Sequence, residues 1–346
     1  MTSTTFITQF TVPDIATYTG KYFESKCNPH IREAEASAHA WFDSYGIYSG
    51  VQREKFFQSR FCLLAALCYP EADLEHIRPA MDFFLWTFAF DDMADIGEFC
   101  SEGLKRAVDI TMHALRDPNA ALPDLKIVAT LQSYVNRMRL NGGPRAIQHL
   151  IEALDDYHRE IIRENIRMAD NCVETIEEYI TARRETSGVR QTLAMLEYAH
   201  CLDLPDIVFH HPVVRELATA GGEILAWAND IYSFPAEHSH DQLHNFVYVV
   251  MHNKKVDLQG AVDYVYQRIQ TRVQEYVALK AQLPSFGPHL DNQVSQYIKG
   301  IEYVVQGCIE WYFITPRYLG SDAKEVKGTG VVKLRTPLKA SQIVVA

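Results

Sequence analysis

Asn229-Asp230-Ile231-Tyr232-Ser233-Phe234-Pro235-Ala236-Glu237 is the stretch on which the reading of this chain turns. Asn229, Ser233 and Glu237 recur at every fourth position. On an α-helix that spacing moves the side chain only about 40° per step, so the three form one short stripe of oxygen donors. Hard donors of this kind suit Mg²⁺, which keeps some of its water and usually shares substrate phosphates. Asp230 lies off the stripe and is read as orienting its neighbours. Pro235 supports a plainer alternative, a polar face ending in a turn, because a proline two residues before Glu237 should disturb the helix. A second acidic patch, Asp91-Asp92-Met93-Ala94-Asp95, stands far upstream. Two such patches facing each other would hold a cluster of Mg²⁺ ions around a diphosphate.

Working outward, the sequence is helical throughout. Ile147, Leu150, Ile151, Leu154, Tyr157, Ile161 and Ile162 follow the i, i+3, i+4, i+7 pattern. Val262, Val265, Tyr266, Ile269, Val273, Tyr276 and Val277 repeat it, with Asp257 placed to cap the helix start. Thr175-Ile176-Glu177-Glu178 has capping-box spacing. Asn141-Gly142-Gly143-Pro144 separates two helices, with Pro144 suited to a first turn. Alternating strands joined by tight Asn-Gly or Asp-Gly turns are not evident. The expected fold is all-α, a single helical domain over 21–320. Residues 1–20 form an N-terminal segment, and the Gly/Lys-rich tail 321–346 is expected as disorder or a lid.

Composition narrows the function. The chain has 346 residues, 47% apolar and 22% charged, which is ordinary globular usage. Its net charge of −11 disfavours nucleic acid as a partner. An anionic diphosphate is still compatible, since bound Mg²⁺ reverses the local field. Seven scattered cysteines without a CxxC read as reduced packing thiols. No secretory signal is evident, and the apolar runs 61–69 and 83–90 are too short to span a bilayer. A cytoplasmic location is expected.

The first acidic patch follows Phe83-Phe84-Leu85-Trp86-Thr87-Phe88-Ala89-Phe90. Asp91 and Asp95 share a helix face, while Asp92 lies about 100° away. A metal rim would therefore sit above an aromatic wall, which suits a substrate with a greasy tail and a charged head. The alternative is a buried helix with a solvated acidic end, although clustered carboxylates repel without a cation. Orienting a diphosphate calls for arginine and its planar donors. Candidates are Arg183-Arg184-Glu185-Thr186-Ser187-Gly188, where Gly188 suggests a helix break, and Arg317-Tyr318. Tyr318 follows Trp311 by seven residues, a spacing at which both would share a helix face.

Together these motifs resemble the class I terpene synthases, most closely the fungal sesquiterpene cyclases, over roughly 10–320. The matching features are Asp91-Asp92-x-x-Asp95, Arg184 to Gly188, Asn229-x-x-x-Ser233-x-x-x-Glu237, and Arg317-Tyr318. The resemblance implies a helical bundle around a central cavity, and three Mg²⁺ ions, with Mn²⁺ as a substitute, binding the diphosphate of a linear prenyl substrate. Asp91 would hold two ions and Asn229, Ser233 and Glu237 the third, with Asp92 and Asp95 assisting or pairing with arginines. Arg184 would sense the diphosphate, Ser187 would link, and the Gly188 carbonyl would face the nascent cation. Arg183 takes that role if the register shifts by one. Arg317 and Tyr318 would close the site, and Phe84, Phe88 and Trp311 would line the wall. Farnesyl diphosphate is the expected substrate and a sesquiterpene hydrocarbon or alcohol the product, with monomer or homodimer both open.

Two departures stand out. Ala236 replaces the lysine that many relatives carry before the final glutamate, and His240 falls near where some fungal relatives place an arginine. Rival readings are a terpene alcohol synthase acting on geranyl diphosphate and a chain-elongating prenyl diphosphate synthase, the latter lacking here its second aspartate-rich motif. More distant are a metal-dependent phosphohydrolase built on His238, His240, Asp241 and His244, and a non-enzymatic helical scaffold.

Overall fold

The computed structural model describes residues 6–95, 101–117, 119, 121, 124–169, 173–239 and 244–339. The chain begins with β1 (Phe6–Thr11), α1 (Ile15–Thr19), α2 (Ile31–Ser44), α3 (Gly50–Gln58), α4 (Phe61–Cys68) and α5 (Leu74–Asp95). It continues through α6 (Ser101–Arg116), α7 (Lys126–Asn141), α8 (Pro144–Ala169), α9 (Ile176–Thr186), α10 (Val189–Ala199) and α11 (Asp206–Phe209). Then come α12 (Pro212–Ser239), α13 (Phe246–Lys254), α14 (Leu258–Lys280), α15 (Asp291–Trp311) and α16 (Pro316–Leu319). A 3-10 turn (Gly320–Asp322), α17 (Ala323–Thr329) and β2 (Val331–Lys339) complete it.

The expected caps set the helix ends. Thr175 and Glu178 form a reciprocal capping box at α9, and Asp257 accepts from the Gly260 amide at α14. Pro144 opens α8. Gly188, at φ +74°, separates α9 from α10 in a left-handed conformation that costs glycine nothing.

Three elements make the centre. Every residue of α4 is buried, and α15 is buried almost all round from Gly300 to Ile309. The 28-residue α12 packs against α9, α13, α14, α15 and α16. Helices apolar on every side belong inside a core. The close approach of α15 to α4 requires Gly307, where a Cβ would lie 2.9 Å from the Leu67 backbone. Among the described residues, no helix is long and apolar enough to cross a membrane.

The ends depart from expectation. Residues 321–339, expected as a disordered tail or a lid, form the 3-10 turn, α17 and β2, and β2 pairs antiparallel with β1. Phe10 opposite Val332 is buried, and its ring meets Phe234 of α12 edge-on at 5.9 Å. The strands escaped the sequence reading because their partner lies over 300 residues away, so no hairpin turn marks them.

Gly307→Ala should cost about 1–3 kcal/mol, the usual penalty of overpacking a rigid contact. Urea unfolding would check this; an unchanged midpoint would mean that α15 and α4 are not locked together there.

Candidate active site

The metal-type stripe lies on α12, which runs through Pro235 to Ser239 without ending. The expected disturbance at Pro235 is therefore not a break. Proline removes one amide donor from the helix ladder. Asn245, fully buried, spans the affected region: its Nδ2 donates to the Asp230 carbonyl (2.7 Å) and to Glu237 Oε2 (2.8 Å). Its Oδ1 accepts from the Val247 amide (2.8 Å), capping α13. Sequence reasoning missed Asn245; the available signal was an asparagine directly before the apolar run Phe246–Met251.

Ser233 Oγ is buried with no hydrogen-bond partner of sound geometry. Burial, and next the charge of Asp230, push the Glu237 carboxyl from 4.5 up to about 7; Asn245 and the nearby Ser233 hydroxyl act the other way. An orphaned hydroxyl beside a carboxyl whose ionisation is disfavoured, despite the nearby charge of Arg183, fits a divalent cation.

Asp230 is buried on the neighbouring side of α12. It accepts from Tyr179 Oη (2.8 Å), from Arg183 Nε (3.1 Å) and from Arg183 Nη2 (2.8 Å). The same Nη2 donates to Asn229 Oδ1 (2.9 Å). Thus the structure brings Arg183 to the stripe. Arg184, preferred from sequence, instead turns to Glu223, with Nη2 2.6 Å from Oε1, and remains substantially exposed. Glu223 is also held by Arg272 Nε at 2.5 Å. Arg183 and Arg184 differ by about 100° around α9, so only one can face Asn229. Ser187 ends α9, and its Oγ accepts from the Val189 amide at 3.4 Å. The Gly188 carbonyl is taken by Thr192, accepting from its Oγ1 (2.9 Å) and amide (3.3 Å).

Arg317 and Tyr318 belong to α16, which Thr315 caps and Pro316 opens. Because α15 ends at Trp311, Trp311 and Tyr318 do not share a helix face as the spacing suggested; their rings meet edge-on across the turn at 5.8 Å. Arg317 bridges the first acidic patch, with Nη1 2.7 Å from Asp92 Oδ1 and Nη2 3.3 Å from Asp91 Oδ2. Burial draws the guanidinium pKa down, but Asp92, Tyr318 and Asp91 together outweigh it and the net shift is upward. Tyr318 Oη accepts from Asn229 Nδ2 at 3.2 Å. Burial pushes this phenol up to about 12, against the pull of Arg317. Asp91, Asp92, Arg317, Tyr318, Asn229, Arg183 and Asp230 are therefore linked in one polar chain from α5 to α9. Asp95 closes α5, but its side chain lies outside the described residues, as does His240.

Below this chain sits an aromatic layer. Phe88 stacks on Phe61 at 4.2 Å and meets Trp311 at 5.5 Å and Phe84 at 6.4 Å. Phe88 is partly open, whereas Phe84 and Trp311 are buried and Trp311 Nε1 donates to the Ser59 carbonyl at 3.1 Å. The Arg317 guanidinium lies 5.1 Å over the Phe88 ring. A separate surface groove of about 690 Å³, lined by Arg116, Arg139, Ile147, Ile151 and Asp155, contains none of these residues.

The phosphohydrolase set finds other roles. His238 bonds the Tyr248 hydroxyl and stacks on Phe234, and His244 lies 3.6 Å from Glu174. Asp241 lies outside the described residues.

A helical bundle that joins an aspartate pair to an Asn/Ser/Glu stripe over an aromatic floor is the architecture of a class I terpenoid synthase. The comparisons with known proteins agree. Residues 82–275 match the family described as terpene synthase family 2, C-terminal metal binding, and the chain belongs to the terpene synthases. It is 32% identical to sesquiterpene synthase Agr1 of Cyclocybe aegerita over 93% of this chain and 92% of that one. It is 34% identical to sesquiterpene synthase 3 of Postia placenta over 88% and 83%. Linalool/nerolidol synthase from Streptomyces clavuligerus shares the fold, with a TM-score of 0.75 at 20% identity over 88% of this chain and 99% of that one. The protein is accordingly a terpene synthase enzyme with a divalent metal cofactor.

The raised pKa of Glu237 gives a signed expectation. The folded chain holds this proton more tightly than the unfolded chain does, so ionising Glu237 opposes folding. The penalty is absent below pH 4.5, grows towards pH 7 and is complete above it. In EDTA, Glu237→Gln should raise the melting temperature at pH 8 and lose most of that gain at pH 5. A gain that does not vary with pH would refute the electrostatic origin.

Proposed function

We propose that the protein is a Mg²⁺-dependent sesquiterpene synthase that ionises farnesyl diphosphate and releases diphosphate with a cyclic or acyclic sesquiterpene. One observation carries this reading: Arg317-Tyr318 joins the Asp91–Asp92 pair to Asn229, the first residue of the Asn229–Ser233–Glu237 stripe. The relatives' names support the fifteen-carbon substrate.

Asp91, with Asp92 and Asp95 assisting, would hold metal on one side, and Asn229, Ser233 and Glu237 on the other. Bound Mg²⁺ stabilises the diphosphate as charge develops on it. The chain's own groups do the rest. Arg317 would exchange its single contacts to Asp91 and Asp92 for a two-point contact with phosphate oxygens. Arg183 is placed to donate to the diphosphate beside Asn229, while Asp230 and Tyr179 fix its orientation. Tyr318 closes the mouth against water, which would otherwise quench the cation. The Phe88 face that Arg317 covers would offer its negative quadrupole to the hydrocarbon cation once the guanidinium turns to the diphosphate. The oxygen stripe favours ionisation and cyclisation over elongation, which needs a second aspartate-rich motif.

The test is incubation with farnesyl, geranyl or geranylgeranyl diphosphate, with and without isopentenyl diphosphate, in Mg²⁺ or EDTA, followed by gas chromatography–mass spectrometry. A Mg²⁺-dependent sesquiterpene that is absent with Asp91→Ala is expected. Product from geranyl diphosphate alone would move the assignment to a monoterpene, and consumption of isopentenyl diphosphate to elongation. No product and no diphosphate release would reject it.

The two arginines can be separated. Arg183→Ala should lower kcat/KM by about 10²–10³-fold, the usual loss for one preorganised donor. Arg184→Ala should lower it less than about tenfold, because Arg184 pairs with Glu223 outside the polar chain. Steady-state kinetics on both variants decides, and the reverse order would return the sensor role to Arg184.

A further inference from the structure

A second cluster of ligand-type side chains lies at the other end of α5. Asp73 is about 27 Å along the helix axis from Asp91, at a rise of 1.5 Å per residue. Its Oδ1 accepts from both the backbone amide (2.9 Å) and the ring Nδ1 (2.7 Å) of His76. With Asp73 accepting at Nδ1, the neutral ring carries its lone pair on Nε2. Nε2 faces Cys201 Sγ at 3.4 Å. Asp73, His76 and Cys201 each offer one ligand atom within 4.8 Å of the others. Asp73 and Cys201 are exposed, so an ion has access.

The backbone at Cys201 is unusual. Leu202 N donates to Glu197 O (2.9 Å) and Cys201 N to Tyr198 O (3.1 Å), which together are the Schellman motif closing α10. The left-handed position in that motif is normally glycine, and here it is Cys201 at φ +53°. A side chain is thus kept where the backbone would do better without one.

We propose that His76 Nε2 and Cys201 Sγ hold a soft divalent cation such as Zn²⁺, with water completing its shell and Asp73 fixing the His76 ring from behind, so that the ion ties the start of α5 to the turn after α10. Zn–S and Zn–N bonds of their usual lengths give a tetrahedral S···N edge of about 3.6 Å, close to the observed separation. A carboxylate on the far ring nitrogen is the common support for a metal-bound histidine. A thiol–imidazole hydrogen bond alone would have the same S···N distance. The carboxylates of Asp73 and Glu75 lie near Cys201, and among the described residues no lysine or arginine pairs with Asp73. A cation there would displace the thiol proton and bind the thiolate. The sulfur and imidazole donors discriminate against Mg²⁺, which prefers the all-oxygen cluster.

The test uses the full chain in excess Mg²⁺, titrated with ZnCl₂ by calorimetry, with iodoacetamide labelling of each cysteine followed by mass spectrometry. Cys27, also exposed, is the internal comparator. Zn²⁺ should slow alkylation of Cys201 at least tenfold and leave Cys27 unchanged. Asp73→Asn should weaken binding about 10–100-fold. His76→Gln should lose the binding, and so should Cys201→Gly, which suits the left-handed turn and should melt no lower than wild type without metal. Co²⁺ should give a thiolate charge-transfer absorption that Cys201→Gly removes. Zn²⁺ binding unchanged in Cys201→Gly, or unprotected alkylation of Cys201, would overturn the proposal.

Discussion

The site depends on the buried pair of Arg183 and Asp230. Asp230 is almost wholly inaccessible and Arg183 is mostly buried, so the Asp230 carboxylate depends on its protein partners in place of water. Removing one partner from such a pair commonly costs about 3–5 kcal/mol, because the other charge is stranded. The pair also fixes geometry. Asp230 is next to Asn229, so anchoring it sets the rotation of α12 and aims the whole stripe. Tyr179 and the Phe246 amide, both directed at Asp230, tie α9 and α13 to the same point. A small error in α12 rotation would displace Asn229, Ser233 and Glu237 together.

Much of this was legible in the sequence, for physical reasons. Periodicity reports which face of a helix is buried, so the helices, their caps and the stripe could be read directly. Periodicity does not say which of two adjacent arginines finds a partner on another helix. Glu223 and Asp230 are seven residues apart, two turns along one face of α12, and each takes one arginine of α9. That choice is tertiary. Trp311 and Tyr318 misled for a related reason. Their spacing matches two helical turns, but Thr315-Pro316 starts a new helix between them. Thr-Pro was a readable stop signal that the seven-residue spacing obscured. The β1–β2 ribbon had no local signal, since it joins the two ends of the chain.

The net charge of −11 looks ill-suited to an anionic substrate, and the local wiring resolves the conflict. Among the described residues, Arg317 and Arg183 are the cations of the polar chain, and both are engaged with acidic or amide oxygens. Arg317 answers the repulsion between Asp91 and Asp92 that clustered carboxylates otherwise suffer. The acidic groups there are thus partly offset by the protein's own side chains. A diphosphate arriving alone would have to compete with carboxylates for the same guanidinium. Arriving with divalent cations, it supplies the carboxylates with new partners and gains the arginine. Under the proposed reaction, metal and diphosphate should bind with positive coupling, because each releases a group the other needs.

The same exchange bears on the hydrocarbon end. In the resting chain the face of Phe88 is occupied by the Arg317 guanidinium at 5.1 Å. A ring face that attracts one cation attracts another, since the quadrupole does not distinguish guanidinium from carbocation. Under the proposed reaction, Arg317 would turn to the diphosphate and free that face as an allylic cation forms beside it. Phe61 and Trp311, packed against Phe88 at 4.2 and 5.5 Å, keep the ring from following the arginine. A single side-chain movement would then clamp the leaving group and uncover the surface that steadies its partner ion, coupling ionisation to a prepared cavity wall.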